Sequence, residues 1–441
     1  MSFKPVVAVS SLILFLLGNP AFAQSDEEQA EEYRAACNEG NIGGCTNLGW
    51  AYEHGRGVTQ SNSEALRYYR HSCDAGNPVG CTNLGLAYGR GRGVPQDNSE
   101  AIRFFHLGCD WGEAAACTYI GSMYHMGRGL PQDASEAAFY FRQGCNRGHA
   151  DGCTRLGIAF TMGLGVEQND GDAARYFRQS CDGGYAPGCT GLGTMLEEGR
   201  GIEQDIAEAT RLFGLACERG HVPACRYAGL NYHEGNGVAE NDTEAVRYFA
   251  IACSAGEADD CTNLGTFHRY GRGVPQSNTE AVRYLRMGCE GGNVVGCRRL
   301  GDLYQDQGDH AEALTYFDEA IRLDPQSAAN YNSRCWARAV WGQELDQALE
   351  DCNASLEIER RTNTLDSRGL VNLLLGKDQA AFADYDEAIR LADNDTASSL
   401  YGRGMARRRL SENAAAEADI RAALDLNADI AERYAGYGIT P

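Results

Sequence analysis

Cysteine recurs in this chain every 36 residues, at Cys37, Cys73, Cys109, Cys145, Cys181, Cys217, Cys253 and Cys289. Each is followed eight positions later by a second, at Cys45, Cys81, Cys117, Cys153, Cys189, Cys225, Cys261 and Cys297. A period this regular means one supersecondary unit copied along an elongated array, each copy burying its apolar face against its neighbours. Chain length alone suggests roughly three closed domains. The repeat overrides that division.

Residues 73–107 serve as the type unit. Cys81, Leu84, Gly85, Ala87 and Tyr88 follow the three-and-four spacing of one helix face, so a first helix is expected from near Gly80. Gly91 to Asp97 breaks the pattern and reads as a loop. Ser99 is the expected N-cap of a second helix over Glu100 to about Asp110, and Gly112 its terminator. Glycine holds this terminating phase in every unit, from Gly40 to Gly292, as expected where φ is positive. A second set, Gly49, Gly85, Gly121, Gly157, Gly193, Gly229, Gly265 and Gly301, falls mid-helix, at a cost of about 1 kcal/mol against alanine. Its expected use is close helix approach, small residue against small, to Ala65, Ala101, Ala137, Ala173, Ala209, Ala245 and Ala281 on the second helix.

The N-terminus reads as a cleaved secretory signal over residues 1–23. Lys4 is its charged region, Val6 to Leu17 its apolar run, and Ala21-Phe22-Ala23 its small-x-small cleavage site. The mature chain then starts near Gln24, with residues 24–36 as an N-terminal capping helix. No second long apolar stretch follows, so membrane insertion is not expected. Export to the periplasm or the medium places the thiols in an oxidising compartment. The 18 cysteines all pair by spacing, and disulfides are the expected state. Zinc would call for CxxC or Cys/His clusters, and the chain has no CxxC. Each Cys-x7-Cys pair joins the end of one helix to the start of the next. Closing so short a loop stabilises by about 2.5 kcal/mol.

The formal charge is −22, becoming about −23 once Lys4 is cleaved away. An acidic surface of this size argues against nucleic acid and anionic membrane as partners. Lysine occurs only at Lys4 and Lys377, which reads as a coding bias toward arginine.

The run LGLAYGRGRGVPQDNSEAIRFF, repeated over roughly residues 28–297 with a Cys pair in each unit, resembles the Sel-1-like repeat family, in particular its cysteine-rich, Hcp-like branch. After Gly301 the loop shortens. The interval from mid-helix Gly to second-helix Ala falls from 16 (Gly265 to Ala281) to 12 (Gly301 to Ala313). Leu300, Gly301, Tyr304, Ala313, Phe317, Ala320 and Pro325 then resemble a tetratricopeptide repeat, with more degenerate units at about 328–361, 362–396 and 397–430. Ile430 to Tyr437 would be a partial capping helix. The resemblance implies an all-α fold, a right-handed α-solenoid of antiparallel helix pairs. Sel-1-like repeats would occupy 37–297, tetratricopeptide repeats 298–430 and a cap or tail 431–441. Cys335 and Cys352 break the period. In the tetratricopeptide register both face the contact between the helices of one unit, which implies an intra-repeat disulfide; two buried thiols are the alternative.

Some Hcp-like proteins are described as penicillin-binding or weakly β-lactamase-like, so the resemblance also implies β-lactam binding as an alternative function. The serine enzymes need Ser-x-x-Lys, but Leu374 stands three before Lys377 and Lys4 leaves with the signal. No HxH or HExxH occurs. No catalytic, metal or cofactor residues are assigned. A third alternative is an assembly factor or chaperone for an envelope protein. The loops Gly55-Arg56-Gly57, Gly91-Arg92-Gly93, Gly127-Arg128-Gly129, Gly199-Arg200-Gly201 and Gly271-Arg272-Gly273 follow helices and lack a P-loop lysine. They read as tight turns, with the arginines paired to nearby acids. His54, His125 and His233 lie near first-helix C-termini, His125 and His233 in one phase and His54 one residue later in its copy, where the dipole favours them; a metal or haem role is the alternative.

One comparison among the copies bears on function. The phases of Thr46, Leu48, Gly49 and Tyr52 hold nearly one residue type throughout. Those of Asn47, Trp50 and His54 vary, becoming Asn83, Leu86 and Arg90, then Tyr119, Ser122 and Met126, and in the sixth unit Tyr227, Leu230 and Glu234. They step by three and four and form one stripe on each first helix. In helix-pair solenoids such helices commonly line the concave, binding face. The stripe is the candidate site for an unknown protein or peptide partner; unconstrained solvent-facing positions are the alternative.

Overall fold

The computed structural model describes residues 25–392 and 396–440, so the signal-sequence reading concerns residues outside those described. All regular structure in the described residues is α-helical, in 24 helices from Asp26–Asn38 to Ile430–Gly436. The chain forms two compact units, residues up to Gly188 and residues from Cys189. Within each, consecutive helices pack against one another as an α-solenoid of helix pairs. No helix among the described residues is long and apolar enough to cross a membrane.

In the type unit the first helix spans Pro78–Arg90 and the second Asn98–Asp110. The first starts ahead of Gly80 because Asn77 caps it, accepting from the Gly80 amide at 2.9 Å. Pro78 follows at a position where no amide hydrogen is needed. The second helix is capped by Asp97, not Ser99. The Asp97 carboxylate accepts from the Ser99 and Glu100 amides at 2.9 and 3.1 Å. Its backbone is still extended, whereas Ser99 already lies inside the helix. A carboxylate at this place also complements the helix dipole.

The two glycines of each loop do different things. Gly91 ends the first helix with φ 68°. Gly93, at φ 75°, lies on the start of the preceding unit's second helix, where an added Cβ would come 2.6 Å from the Asn62 carbonyl oxygen. Gly273 lies equally close to Asp242. The loop is thus a stacking surface that only glycine's missing side chain permits.

Seven of the eight mid-helix glycines meet aromatic rings, and Gly265 meets Leu285, in place of the alanines expected opposite them. A Cβ on Gly85 would stand 2.7 Å from Phe105, on Gly121 2.6 Å from Phe141, and on Gly229 2.7 Å from Phe249. The alanines are buried nearby, but it is the Ala101 carbonyl, not its methyl, that would stand 3.0 Å from a Cβ on Gly85. Replacing Gly229 with alanine gains about 1 kcal/mol of helix propensity. It also forces a methyl into a ring that is itself fully buried, an overpacking cost of about 1–3 kcal/mol. The difference makes Gly229→Ala destabilising by up to about 2 kcal/mol, with about 1 kcal/mol expected in urea unfolding. An unchanged or raised midpoint would show that Phe249 has room to move aside.

Small-on-small packing occurs instead where one unit's second helix meets the next unit's first. A Cβ on Gly80 would lie 2.5 Å from the Ser72 hydroxyl. At this crossing Cys73 bonds to Cys81, with Cα atoms 4.5 Å apart. The corresponding pairs Cys37–Cys45, Cys109–Cys117, Cys145–Cys153, Cys217–Cys225, Cys253–Cys261 and Cys289–Cys297 have Cα separations of 4.5–4.8 Å. No cysteine in the described residues is free.

Beyond Cys297 a different device joins the helices of a pair. Helices Ala328–Trp341 and Leu345–Ile358 are linked by Cys335–Cys352, Cα atoms 5.4 Å apart, and by Arg334 donating to Asp351. Arg368 grips Asp384 in the next pair, and Arg403 grips Asp419 in the one after, with bonds as short as 2.6 and 2.8 Å. The three aspartates are nearly inaccessible. The last helix is held by Tyr434, whose hydroxyl donates to the Ser398 carbonyl at 2.9 Å.

Candidate binding face

The first helices of successive units touch one another. Ala114–Met126 meets Ala150–Met162 in one unit of the chain, and in the other Ala258–Tyr270, Val294–Asp306, Ala328–Trp341 and Thr362–Leu374 follow in a row. The recurring residues of these helices face inward for clear reasons. Leu48 and Leu84 are fully buried. Thr82 turns its hydroxyl onto the Pro78 carbonyl at 2.8 Å, and Thr154 meets Ser180 at 2.7 Å.

The varying residues lie on the opposite side. Asn47, Trp50 and His54 are exposed, and the Trp50 and His54 rings stack at 4.6 Å. Arg90, Met126, Tyr227 and Glu234 are exposed, while Asn83, Leu86, Tyr119, Ser122 and Leu230 are half-buried. The half-buried members serve the scaffold as well. Leu86 and Leu230 pack against neighbouring core clusters. Tyr119 lies 5.3 Å from the Phe105 ring and Tyr227 5.0 Å from Phe213. The same phases continue at Thr266, Tyr270, Arg299, Asp302 and Asp306, which sequence comparison did not single out. There they line a cleft of about 430 Å³ together with Arg269, Arg298 and Trp336.

Four of the five loop arginines are occupied. Arg56 pairs with Asp26 at 3.2 Å, Arg92 with Glu53 at 2.6 Å, Arg200 with Glu198 at 3.0 Å and Arg272 with Asp242 at 3.1 Å. His233 is held by Asp242 at 2.6 Å. The described residues contain no group of three or more His, Cys, Asp or Glu placed to hold a metal ion. Burial lowers the His149 and His221 imidazoles below their ordinary value. Each meets a threonine hydroxyl, Thr118 at 2.9 Å and Thr190 at 2.8 Å.

A recurrent aromatic contact was also missed. Tyr52 stacks on Tyr68, Tyr88 on Phe104, Tyr124 on Tyr140, Phe160 on Tyr176 and Tyr232 on Tyr248, with centroids 5.6–5.9 Å apart. Arg67 covers the Tyr68 ring at 4.3 Å and is oriented by Glu64. Both phases recur in the sequence, so the signal was present. The pairing across 16 residues was not apparent without knowing which faces meet.

The chain belongs to the Sel1 repeat family, whose description matches residues 43–77, 78–110, 114–149, 150–185, 186–221, 222–257 and 258–293. A tetratricopeptide repeat matches residues 294–327. Among solved structures, c5321, a protective antigen of uropathogenic Escherichia coli strains with an SLR fold, aligns over 91% of this chain and 88% of its own. It is 23% identical, with a TM-score of 0.66. A Sel1 repeat protein from Oxalobacter formigenes covers 62% of this chain and 79% of its own, at 27% identity and a TM-score of 0.51. Tetratricopeptide repeat protein 36 of Xenopus tropicalis is 36% identical over 91 residues, 20% of this chain and 45% of that protein. The chain thus spans about half the length of that curated relative.

Proposed function

We propose that this chain is an exported, disulfide-stapled scaffold that binds a protein partner along the face of its first helices. The observation that carries this reading is the exposure of large apolar side chains there. Trp50, Met126 and Tyr227 are 43, 48 and 42% accessible, at phases where the residue type changes from copy to copy. Contact hot spots draw on such residues. The phases that hold the units together are filled by the same residue types throughout and are not free to specify a partner. The disulfides support an oxidising location, and the charge of −22 favours a partner with a basic surface.

The test is capture of a partner from the native envelope fraction by the full chain and by Trp50→Ala, Met126→Ser and Tyr227→Ala, tested singly. At least one variant is expected to weaken capture by about tenfold or more, with unchanged circular dichroism and melting. Equal capture by all three variants, or no partner at all, would refute the reading. Nitrocefin turnover by the wild-type chain that disappears in these variants would replace it with a hydrolase.

A further inference from the structure

Three successive first helices, Ala258–Tyr270, Val294–Asp306 and Ala328–Trp341, enclose the cleft of about 430 Å³ noted above. It holds three guanidinium groups, from Arg269, Arg298 and Arg299, and two carboxylates, from Asp302 and Asp306. Arg269 is bonded to Asp306 and to the Arg299 carbonyl. Arg298 lies 3.8 Å from Asp302. Among the described residues no carboxylate lies within ion-pair distance of Arg299; its side chain donates to the Thr266 hydroxyl, and Asp302 attracts it only from further away. That is unusual in a chain with 61 acidic and 39 basic side chains, where half-buried arginines such as Arg334, Arg368 and Arg403 each grip an aspartate. The surroundings do not favour the arrangement. Burial and the neighbouring charges of Arg298 and Arg269 lower the proton affinity of the Arg299 guanidinium, outweighing the opposing pull of Tyr270 and Asp302. Burial raises the Asp302 carboxyl above its ordinary range. The cleft lacks one negative charge.

We infer that this cleft receives a carboxylate carried by a polypeptide partner next to an aromatic or apolar side chain. Three positive and two negative groups leave one net positive charge, matching a monoanion. A phosphate dianion would meet Asp302 and Asp306 at close range. A planar guanidinium presents two parallel N–H donors to a carboxylate. The flanking walls are the rings of Tyr270, 62% exposed, and Trp336, which suit an apolar neighbour of the carboxylate. The inference rests on the reading of the first-helix face as a partner site and names the chemistry of one part of it.

Ligand-observed NMR titration of the full chain tests it, with N-acetylphenylalanine, its amide and inorganic phosphate as probes. The acid is expected to bind at least about tenfold more tightly than the amide, and phosphate is expected not to displace it. Arg299→Gln should weaken the acid by about tenfold or more. Thr266→Val, which frees the Arg299 side chain without removing it, should weaken it less and serves if Arg299→Gln fails to fold. Equal binding of acid and amide, displacement by phosphate, or full affinity in both variants would overturn the inference. If Arg299→Gln still captures the partner that Trp50→Ala or Tyr227→Ala loses, the inference falls while the wider reading stands. If the acid binds as expected but no face variant loses a partner, the wider reading falls instead.

Discussion

Complete reduction of the disulfides is expected to speed amide exchange across residues 37–297 by roughly two orders of magnitude, while residues 362–426 change little. Each Cys-x7-Cys bridge spans eight positions and stabilises by about 2.5 kcal/mol through the loop it closes, close to a hundredfold in a local opening constant. Because each repeat contacts only its neighbours, the loss is local and recurs unit by unit. The bridges tie one unit's second helix to the next unit's first, so their loss loosens the stacking of units more than the helices themselves. Residues 328–358 should respond as well, since Cys335–Cys352 joins their two helices. All the cysteines but the half-buried Cys37 are buried, so reduction requires mild denaturant followed by alkylation. Hydrogen exchange with mass spectrometry of the two forms makes the measurement. Equal protection in both would mean that core packing alone sustains the repeats.

The period of 36 made the helix pairs, their loops and their staples legible, because those features repeat in register with glycine and cysteine, residues whose roles are narrow. Gly112 ends a helix with φ 99°, as its phase implied. Where two residues shared one chemistry, the choice failed. Asp97 and Ser99 both cap helices well, and only the backbone decides between them. The mid-helix glycines were recognised as points of close approach, yet their partner is a ring such as Phe105 and not Ala101. A one-dimensional pattern says that a small residue is needed, not which neighbour fills the space. The variable stripe was legible as variation among copies, and its continuation to Arg299 and Asp302 was readable by the same phase. What no pattern disclosed is that Arg299 makes no ion pair among the described residues, a fact about neighbours on three different helices.

The arginine–aspartate pairs of the C-terminal repeats were likewise hidden, because those units are too degenerate for phases to be compared. They carry the largest single-residue effect expected here. Asp384 is 5% exposed and accepts from Arg368 at 2.6 Å and from the Asn372 amide at 2.8 Å, while Arg368 also reaches Asn353 at 2.9 Å. Asp384→Ala leaves a guanidinium and an amide without their acceptor between two packed helices. Breaking a buried pair in this way costs about 3–5 kcal/mol, more than any one staple. Asp384→Asn keeps the shape and one acceptor and should cost less, and the double variant Arg368→Met/Asp384→Leu should recover much of the loss, since removing both charges removes the desolvation penalty as well. Urea unfolding of the three variants decides the matter. If Asp384→Ala and the double variant were equally destabilised, the pair would be acting through packing volume and not through its charge. If Asp384→Ala were neutral, water would be replacing the carboxylate, and the helices 362–374 and 378–391 would be held by their apolar contacts alone, chiefly Gly369 against the Tyr385 ring.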